Sequence, residues 1–417
     1  MADRWLNRAV WGMAWTSFLS DLGHEAMSAL LPSFLAALGL PPAALGAVEG
    51  LGDAAASFMK LGAGWVSDRL GRRKGLVVAG YAATGLASGF IALANGFGGV
   101  LAAKVFGWTG RGLRGPLRDA MLTDAIPEDA RGRAFGFHRA GDTIGAILGP
   151  ALAAGLLAWG LGRGFAELPW LRSLLWISLV PGVLAALVFA VAVPEKPKSK
   201  SRLFAFKDAM RAMPSNFRRY LFGVGLFGCG DFAHTLLILA AAQLMAPALG
   251  PMRAAALGVA FYVLHNAVYA AAAFPAGALA DRFRVHRPLL GMGYLAGAVM
   301  PVMLAFAFLH GHATPLLMAT IFSLGGLVNG IQDTLEGATT AELAPPDHRG
   351  LAFGLLGAVN GTGDLVSSLG VGLLWTWHPA VAFFTAAVLM ALGGLATLRK
   401  ARAPSARSRG VRGPSRG

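Results

Sequence analysis

The stretch Gly64-Trp65-Val66-Ser67-Asp68-Arg69-Leu70-Gly71-Arg72-Arg73-Lys74 separates two apolar runs, and a shorter copy, Gly277-Ala278-Leu279-Ala280-Asp281-Arg282-Phe283-Arg284, stands 213 residues later. The copies agree at glycine, aspartate and arginine. A second echo, at an offset of 218, pairs Pro127-Glu128-Asp129-Ala130-Arg131-Gly132 with Pro345-Pro346-Asp347-His348-Arg349-Gly350. A third, at 210, pairs Asp21-Leu22-Gly23-His24 with Asp231-Phe232-Ala233-His234. Offsets near half of the 417 residues read as two equivalent units in tandem, with a shared site between them.

The composition says where such units reside. Hydrophobic residues make up 55% and charged residues 14% of the chain, against about 25% charged in a soluble protein. An ordinary cytosolic enzyme is excluded, and Cys229, the single cysteine, excludes a disulfide framework and a cysteine zinc cluster. A membrane crossing needs about 20 apolar residues. The chain supplies about twelve such runs, starting near Trp11, Leu45, Leu76, Phe97, Ala134, Leu168, Tyr220, Met252, Pro288, Thr314, Leu351 and Ala380. They are continuous rather than alternating, so the fold class is an all-α membrane protein and not a barrel. The first run lacks a small-residue cleavage site and is expected to stay.

The net charge of +15 is a topology signal rather than a nucleic-acid footprint. Most basic residues fall in alternate connections, including Arg69 to Lys74, Lys196 to Arg219, Arg282 to Arg287 and the segment from Arg399 onward, whereas Arg163, Arg172 and Arg253 alone occupy the opposite ones. Positive residues mark the cytoplasmic side, which puts both termini there, against anionic lipid. The expected organisation is a six-span bundle over 1–193, a basic cytoplasmic linker over 194–219, a second bundle over 220–400, and an unstructured basic tail over 401–417.

With these residues in place, the chain resembles the major facilitator superfamily. The loop G-x-x-x-D-R-x-G-R-R-K looks like that family's hallmark cytoplasmic motif, with its weaker copy in the second half. Gly110-Arg111-Gly112-Leu113-Arg114-Gly115 resembles the membrane-embedded arginine motif, departing from it where Arg114 replaces the usual glutamine. Gly145-Ala146-Ile147-Leu148-Gly149-Pro150 resembles an element of the drug/proton antiporter branch, although small-x-x-x-small is also a general packing device. The resemblance implies twelve transmembrane helices in two pseudo-symmetric six-helix bundles. It also implies a latch of Gly64, Asp68, Arg69, Gly71, Arg72 and Arg73 with Asp281 and Arg282, closing the cytoplasmic side when the cavity faces outward. Asp68 suits a neighbouring helix N-terminus, and the arginines suit carboxylates or lipid phosphates. Gly145, Gly149 and Pro150 would let the fifth span approach a partner closely and bend where the halves meet.

Ionisable groups inside apolar runs are costly and are kept for a cavity or a partner. Asp21, His24 and Glu25 share one face of the first span. The resemblance implies that the first and seventh spans line the central cavity, so Asp231 and His234 would face them. Asp21 or Glu25 beside Arg111 or Arg114, with Asp142 nearby, could exchange a proton as the cavity changes access. The alternative is that these groups simply hydrogen-bond in a wet cavity. Glu49, Asp53, Lys60, Arg139, Asp333 and Glu336 read as charge pairs between helices.

No ATP-binding loop or nucleophile motif occurs; Gly223-Val224-Gly225-Leu226-Phe227-Gly228 fits a dinucleotide fingerprint without its preceding strand. The function expected is proton-coupled export of a small organic solute across the inner membrane by a monomer, with neither enzyme activity nor cofactor nor nucleic-acid partner. A rival within transport is an exporter of a divalent metal or its chelate using Asp21, His24, Asp231 and His234, with Cys229 close by. A rival of another class is a transport-dead sensor or scaffold.

Overall fold

A computed structural model describes residues 5–70, 72–127, 130–195, 213–345 and 349–399. The central part of the expected linker, the tail and Gly71 lie outside the described residues. Six helices form the first half: α1 (Arg8–Ala37), α2 (Pro42–Leu70), α3 (Lys74–Leu93), α4 (Phe97–Asp124), α5 (Arg131–Gly162) and α6 (Glu167–Ala192). The second half holds α7 (Ser215–Gly228), α8 (His234–Leu249), α9 (Pro251–Phe283), α10 (His286–Gly297), α11 (Val299–His310), α12 (Pro315–Leu343), α13 (Arg349–Trp377) and α14 (Pro379–Leu398).

Local chemistry sets several boundaries. Asn7 caps α1 by accepting from the amides of Ala9 and Val10 at 2.9 and 3.1 Å. Prolines stand in the first turns of α9, α12 and α14, where a missing N–H costs nothing. Among the described residues seven segments are long and apolar enough to cross a membrane by composition alone, namely α3, α5, α6, α9, the α10–α11 pair, α12 and α14. Helices α1, α2 and α4 match them in length, at 30, 29 and 28 residues, but embed several charged residues.

The sequence led us to expect twelve continuous helices; two of the twelve spans are interrupted. The seventh consists of α7 and α8 on either side of Cys229–Ala233, and the ninth of α10 and α11 on either side of Ala298. The first break leaves backbone groups without helical partners inside the bundle, and two serines of α13 supply them. Ser367 Oγ donates to the carbonyl of Asp231 at 2.8 Å, and Ser368 Oγ accepts from the amide of Ala233 at 3.1 Å.

Within the first half α1 packs on α5 and α6, while α4 packs on α2 and α3. In the second, α9 packs on α8 and α12, and α14 on α7, α10 and α11. The halves meet mainly through α2 against α13 and α5 against α9, the two pairings that a twofold exchange of equivalent spans requires. The apolar cores show how they meet. One core runs through both halves, joining Leu31, Phe34 and Val48 to Leu237, Phe261 and Phe383. The other two are separate: Val10, Val77, Leu122 and Phe189 in the first half, Phe217, Tyr220, Leu290 and Leu335 in the second. The molecule is therefore sealed at one end and split at the other. The split end is the face where α1 begins and α14 ends.

Candidate functional site: the polar chamber between the halves

At the boundary between the shared core and the split lies a chamber of about 410 Å³. From the first half it is lined by Glu25 on α1, Glu49, Asp53 and Lys60 on α2, and Trp108 and Arg111 on α4. From the second come Asp231 and Phe232 in the break, His234, His265 on α9, Asn329 and Asp333 on α12, and Asp364 on α13.

The α1 cluster is fixed by its own helix. His24 is buried, with Nδ1 3.0 Å from the carbonyl of Ser20 and 3.3 Å from Asp21, and Nε2 3.1 Å from Glu25 Oε1. The other oxygen of Glu25 reaches across the halves: Tyr262 Oη on α9 donates to Glu25 Oε2 at 2.8 Å and lies 2.9 Å from His234 Nε2. A hydroxyl has one proton, so Tyr262 accepts from His234, which puts the imidazole proton on Nε2. Glu25, Tyr262 and His234 thus form a chain from α1 through α9 to α8.

Behind the α2 wall, Lys104 is fully buried. Its Nζ lies 2.8 Å from Glu49 Oε2 and 3.5 Å above the Trp108 ring, and the Trp108 indole donates to Asp53 Oδ1 at 2.8 Å. The pair and the ring hold two carboxylates, one turn apart, toward the chamber.

Of the residues expected at the cavity, Glu25, Arg111, Asp231 and His234 line it. Asp21 and His24 stand one layer behind Glu25. Arg114 and Asp142 do not belong to the lining. The Arg114 guanidinium stacks 4.0 Å over Tyr81, and Asp142 lies 3.5 Å from His138 Nδ1 and 3.9 Å from Arg139. Nδ1 of His24 is taken by the Ser20 carbonyl, while Nε2 stands 3.1 Å from Glu25 without a hydrogen bond. Among the described residues no three His, Cys, Asp or Glu side chains converge as metal ligands would.

The motif loops make contacts within each half. Gly64, Asp68 and Arg69 fall in the last turns of α2. Arg72 is exposed. Arg73 pairs with Asp124 at 2.6 Å, and the amides of Arg73 and Lys74, at the start of α3, bind the Glu195 carboxylate at 3.1 Å each. Glu195 thus caps the N-terminus of α3, where a carboxylate is favoured. In the second half Asp281 lies 2.8 Å from His286, which lies 3.3 Å from Glu342, and Arg282 packs near the Phe283 ring. Gly145 and Gly149 do permit a close approach, but their partner is α1 of the same half rather than the opposite bundle. A Cβ at either would stand 2.5 Å from a carbonyl of α1, Phe18 or Leu22. Pro150 follows inside α5.

Sequence reasoning missed Tyr262, His265 and Asp364, and it did not give Glu49 its partner Lys104. One signal was available. The chain has 25 phenylalanines and five tyrosines, and every tyrosine hydroxyl meets a polar group at an embedded charged residue. Tyr262 meets Glu25, Tyr269 Asp333, Tyr294 the Glu336 carboxylate, Tyr220 the Glu336 carbonyl and Tyr81 Arg118.

Comparison with known proteins agrees with this geometry. The Major Facilitator Superfamily family model matches twice, over residues 13–233 and 221–416. An uncharacterized MFS-type transporter of Methanocaldococcus jannaschii is 28% identical over 397 residues, covering 95% of this chain and 96% of that one. Among solved structures, a bacterial homolog of the human lysosomal transporter Spinster, inward-facing and unoccupied, superposes with a TM-score of 0.73 at 16% identity, covering 93% of this chain and 96% of that one. The nucleoside transporter NupG does so with a TM-score of 0.74 at 14% identity, covering 94% and 100%. Two matched bundles, a polar chamber at their junction and a family model spanning both lead to one conclusion: this chain belongs to the major facilitator superfamily, as a multi-pass membrane transporter of a small-molecule substrate.

Proposed function

We propose that the protein exports a small organic solute across the inner membrane in exchange for protons, with both termini and the split end of the molecule on the cytoplasmic side. This reading keeps the organisation expected from the sequence, two six-span units with a basic linker between them and a basic tail, working as a monomer beside anionic lipid, with the linker ending where α7 begins at Ser215. The loops around Asp68 and Asp281 act as a latch when the split end closes, which fits their contacts within single halves while that end is open.

The observation that carries the proposal is the Glu25–Tyr262–His234 chain. It ties the halves together at the sealed end of the chamber. Opening that end parts α1 from α9, so the Glu25–Tyr262 bond breaks and Glu25 meets a different environment. Protonation of Glu25 removes the ionised acceptor and frees the halves to part, which couples proton entry to the change of access. Asp21, His24 and Asp231 adjust the charge around it.

The test uses proteoliposomes loaded with a bacterial metabolite extract under an imposed inward proton gradient, with mass spectrometry of what leaves. The wild type is expected to release a defined solute only while the gradient lasts, and Glu25→Gln to abolish that dependence. Release that ignores the gradient, or a Glu25→Gln protein that behaves as wild type, would overturn the reading.

A further inference from the structure

The chamber carries more negative than positive charge. Six carboxylates line it: Glu25, Glu49, Asp53, Asp231, Asp333 and Asp364. Lys60 and Arg111 answer from the same walls, and Lys104 answers from behind Glu49. The imidazoles of His234 and His265 add positive charge only when protonated. Excess carboxylates at this depth need compensation, either by protons or by a positively charged guest.

The α2 wall shows where a guest would sit. Glu49 and Asp53 are one helical turn apart, and each has one oxygen already committed, Oε2 to Lys104 and Oδ1 to the Trp108 indole. The remaining oxygens are not. Glu49 is 4% exposed and its buried Oε1 has no hydrogen-bond partner, while Asp53 Oδ2 takes none among the described residues. A buried carboxylate oxygen without a donor is an unmet acceptor. Glu49 Oε1 is such an acceptor, and Asp53 Oδ2, on a partly buried side chain, is a second open one. Held by a lysine and an indole, the pair suits a compact donor with several N–H groups and a positive charge. Trp108, bonded to Asp53, and Phe232, elsewhere on the chamber wall, offer apolar surface for the rest of the molecule. A chamber of about 410 Å³ is of the size that takes drug-sized ligands.

We infer that the cargo is an organic ammonium cation, whose N–H groups donate to Glu49 Oε1 and Asp53 Oδ2 while its apolar body lies against Trp108 and Phe232. This rests on the transport reading for the chamber being a cargo site. It adds that cation and proton occupy the same carboxylates in turn, so that each displaces the other.

The test is equilibrium binding to the full-length protein in lipid nanodiscs, without any gradient, with empty nanodiscs as background. The probes are phenethylammonium and 3-phenylpropionate, which share an aromatic body and differ in the sign of the charge. Saturable binding of the ammonium, at least tenfold tighter than the carboxylate and tightening as pH rises from 5 to 8, is expected. Asp53→Asn keeps the acceptor for Trp108 and is expected to weaken ammonium binding at least tenfold. Glu49→Gln with Lys104→Met removes the buried pair as a unit and is expected to weaken it likewise, with thermal unfolding used to confirm that both variants fold. Preference for the carboxylate, equal binding of both, binding of neither, or folded variants that bind as wild type would each overturn the inference. Because no gradient is present, such a failure leaves proton-driven exchange intact, whereas a failed flux experiment with intact ammonium selectivity would sink the exchange reading alone.

Discussion

The two halves carry the same tyrosine and opposite charges beneath it. Tyr81 on α3 and Tyr294 on α10 are 213 residues apart, and Arg118 on α4 and Glu336 on α12 are 218 apart, two of the three offsets of the internal repeat. In the first half the Tyr81 hydroxyl lies 3.5 Å from Arg118, and Arg114 stacks on the ring. In the second, the Tyr294 hydroxyl donates to Glu336 at 2.5 Å, and Asn360 donates to its other oxygen at 2.7 Å. The backbone plan was duplicated, and the electrostatics then diverged. Embedded acids of the first half have nitrogen bases close by, as in Glu49 beside Lys104 and the His24 imidazole between Asp21 and Glu25. The second half contributes Asp231, Asp333 and Asp364 to the chamber and no lysine or arginine. The lysine and arginine charges on the chamber wall, Lys60 and Arg111, therefore both come from the first half, which also lines it with Glu25, Glu49 and Asp53, while the second half adds carboxylates and imidazoles.

The comparison can be broken most severely at Lys104. If ion pairing is how the first half tolerates its charges, Lys104→Met strands Glu49 and should cost about 3–5 kcal/mol of stability. Thermal and denaturant unfolding in detergent would read the loss, and adding Glu49→Leu should return most of it. A single variant within 1 kcal/mol of wild type would show that water, not Lys104, carries the Glu49 charge.

In the second half the supports are neutral donors, so the expected losses are smaller. Tyr294→Phe removes one charge-assisted bond from Glu336 and should cost about 1.5–3 kcal/mol. Tyr81→Phe, at the equivalent position with a bond of 3.5 Å, should cost less. Equal losses at the two tyrosines would erase the distinction between the halves.

Glycine packing offers a finer probe. Gly149→Ala places a methyl 2.5 Å from the Leu22 carbonyl and should cost about 1–3 kcal/mol by pushing α5 off α1, whereas Gly155→Ala, which meets nothing within 4 Å, should be neutral or better. Smallest of all, Arg73→Ala removes a pair whose aspartate is half exposed. It should change stability by no more than about 1 kcal/mol, less as salt rises.

Much of this was legible before any coordinates. The repeat and the long apolar runs gave the bundles and their number because a membrane span announces itself by length. Embedded charges stand out against such a background, which is why Glu25, Arg111, Asp231 and His234 could be named. Choosing among neighbours was beyond the sequence. Arg111 and Arg114 are three residues apart, and only the rotation of α4 sends one to the chamber and the other onto Tyr81. The interruption at Cys229–Ala233 was hidden because its residues extend an apolar run, and what permits it, Ser367 and Ser368, lies in another span.

That interruption has a mechanical consequence. The α8 segment is embedded in the apolar core shared by both halves, and α7 in the core private to the second. Between them the regular helical ladder gives way to short turn bonds, such as those from the amides of Gly230 and Asp231 to Phe227, and two serine hydroxyls brace the rest. A rod with one soft joint does not transmit torque along its length, so the upper segment can tilt while the lower keeps its neighbours. The seventh span is a joint, and its first-half counterpart α1, unbroken over 30 residues, is a lever.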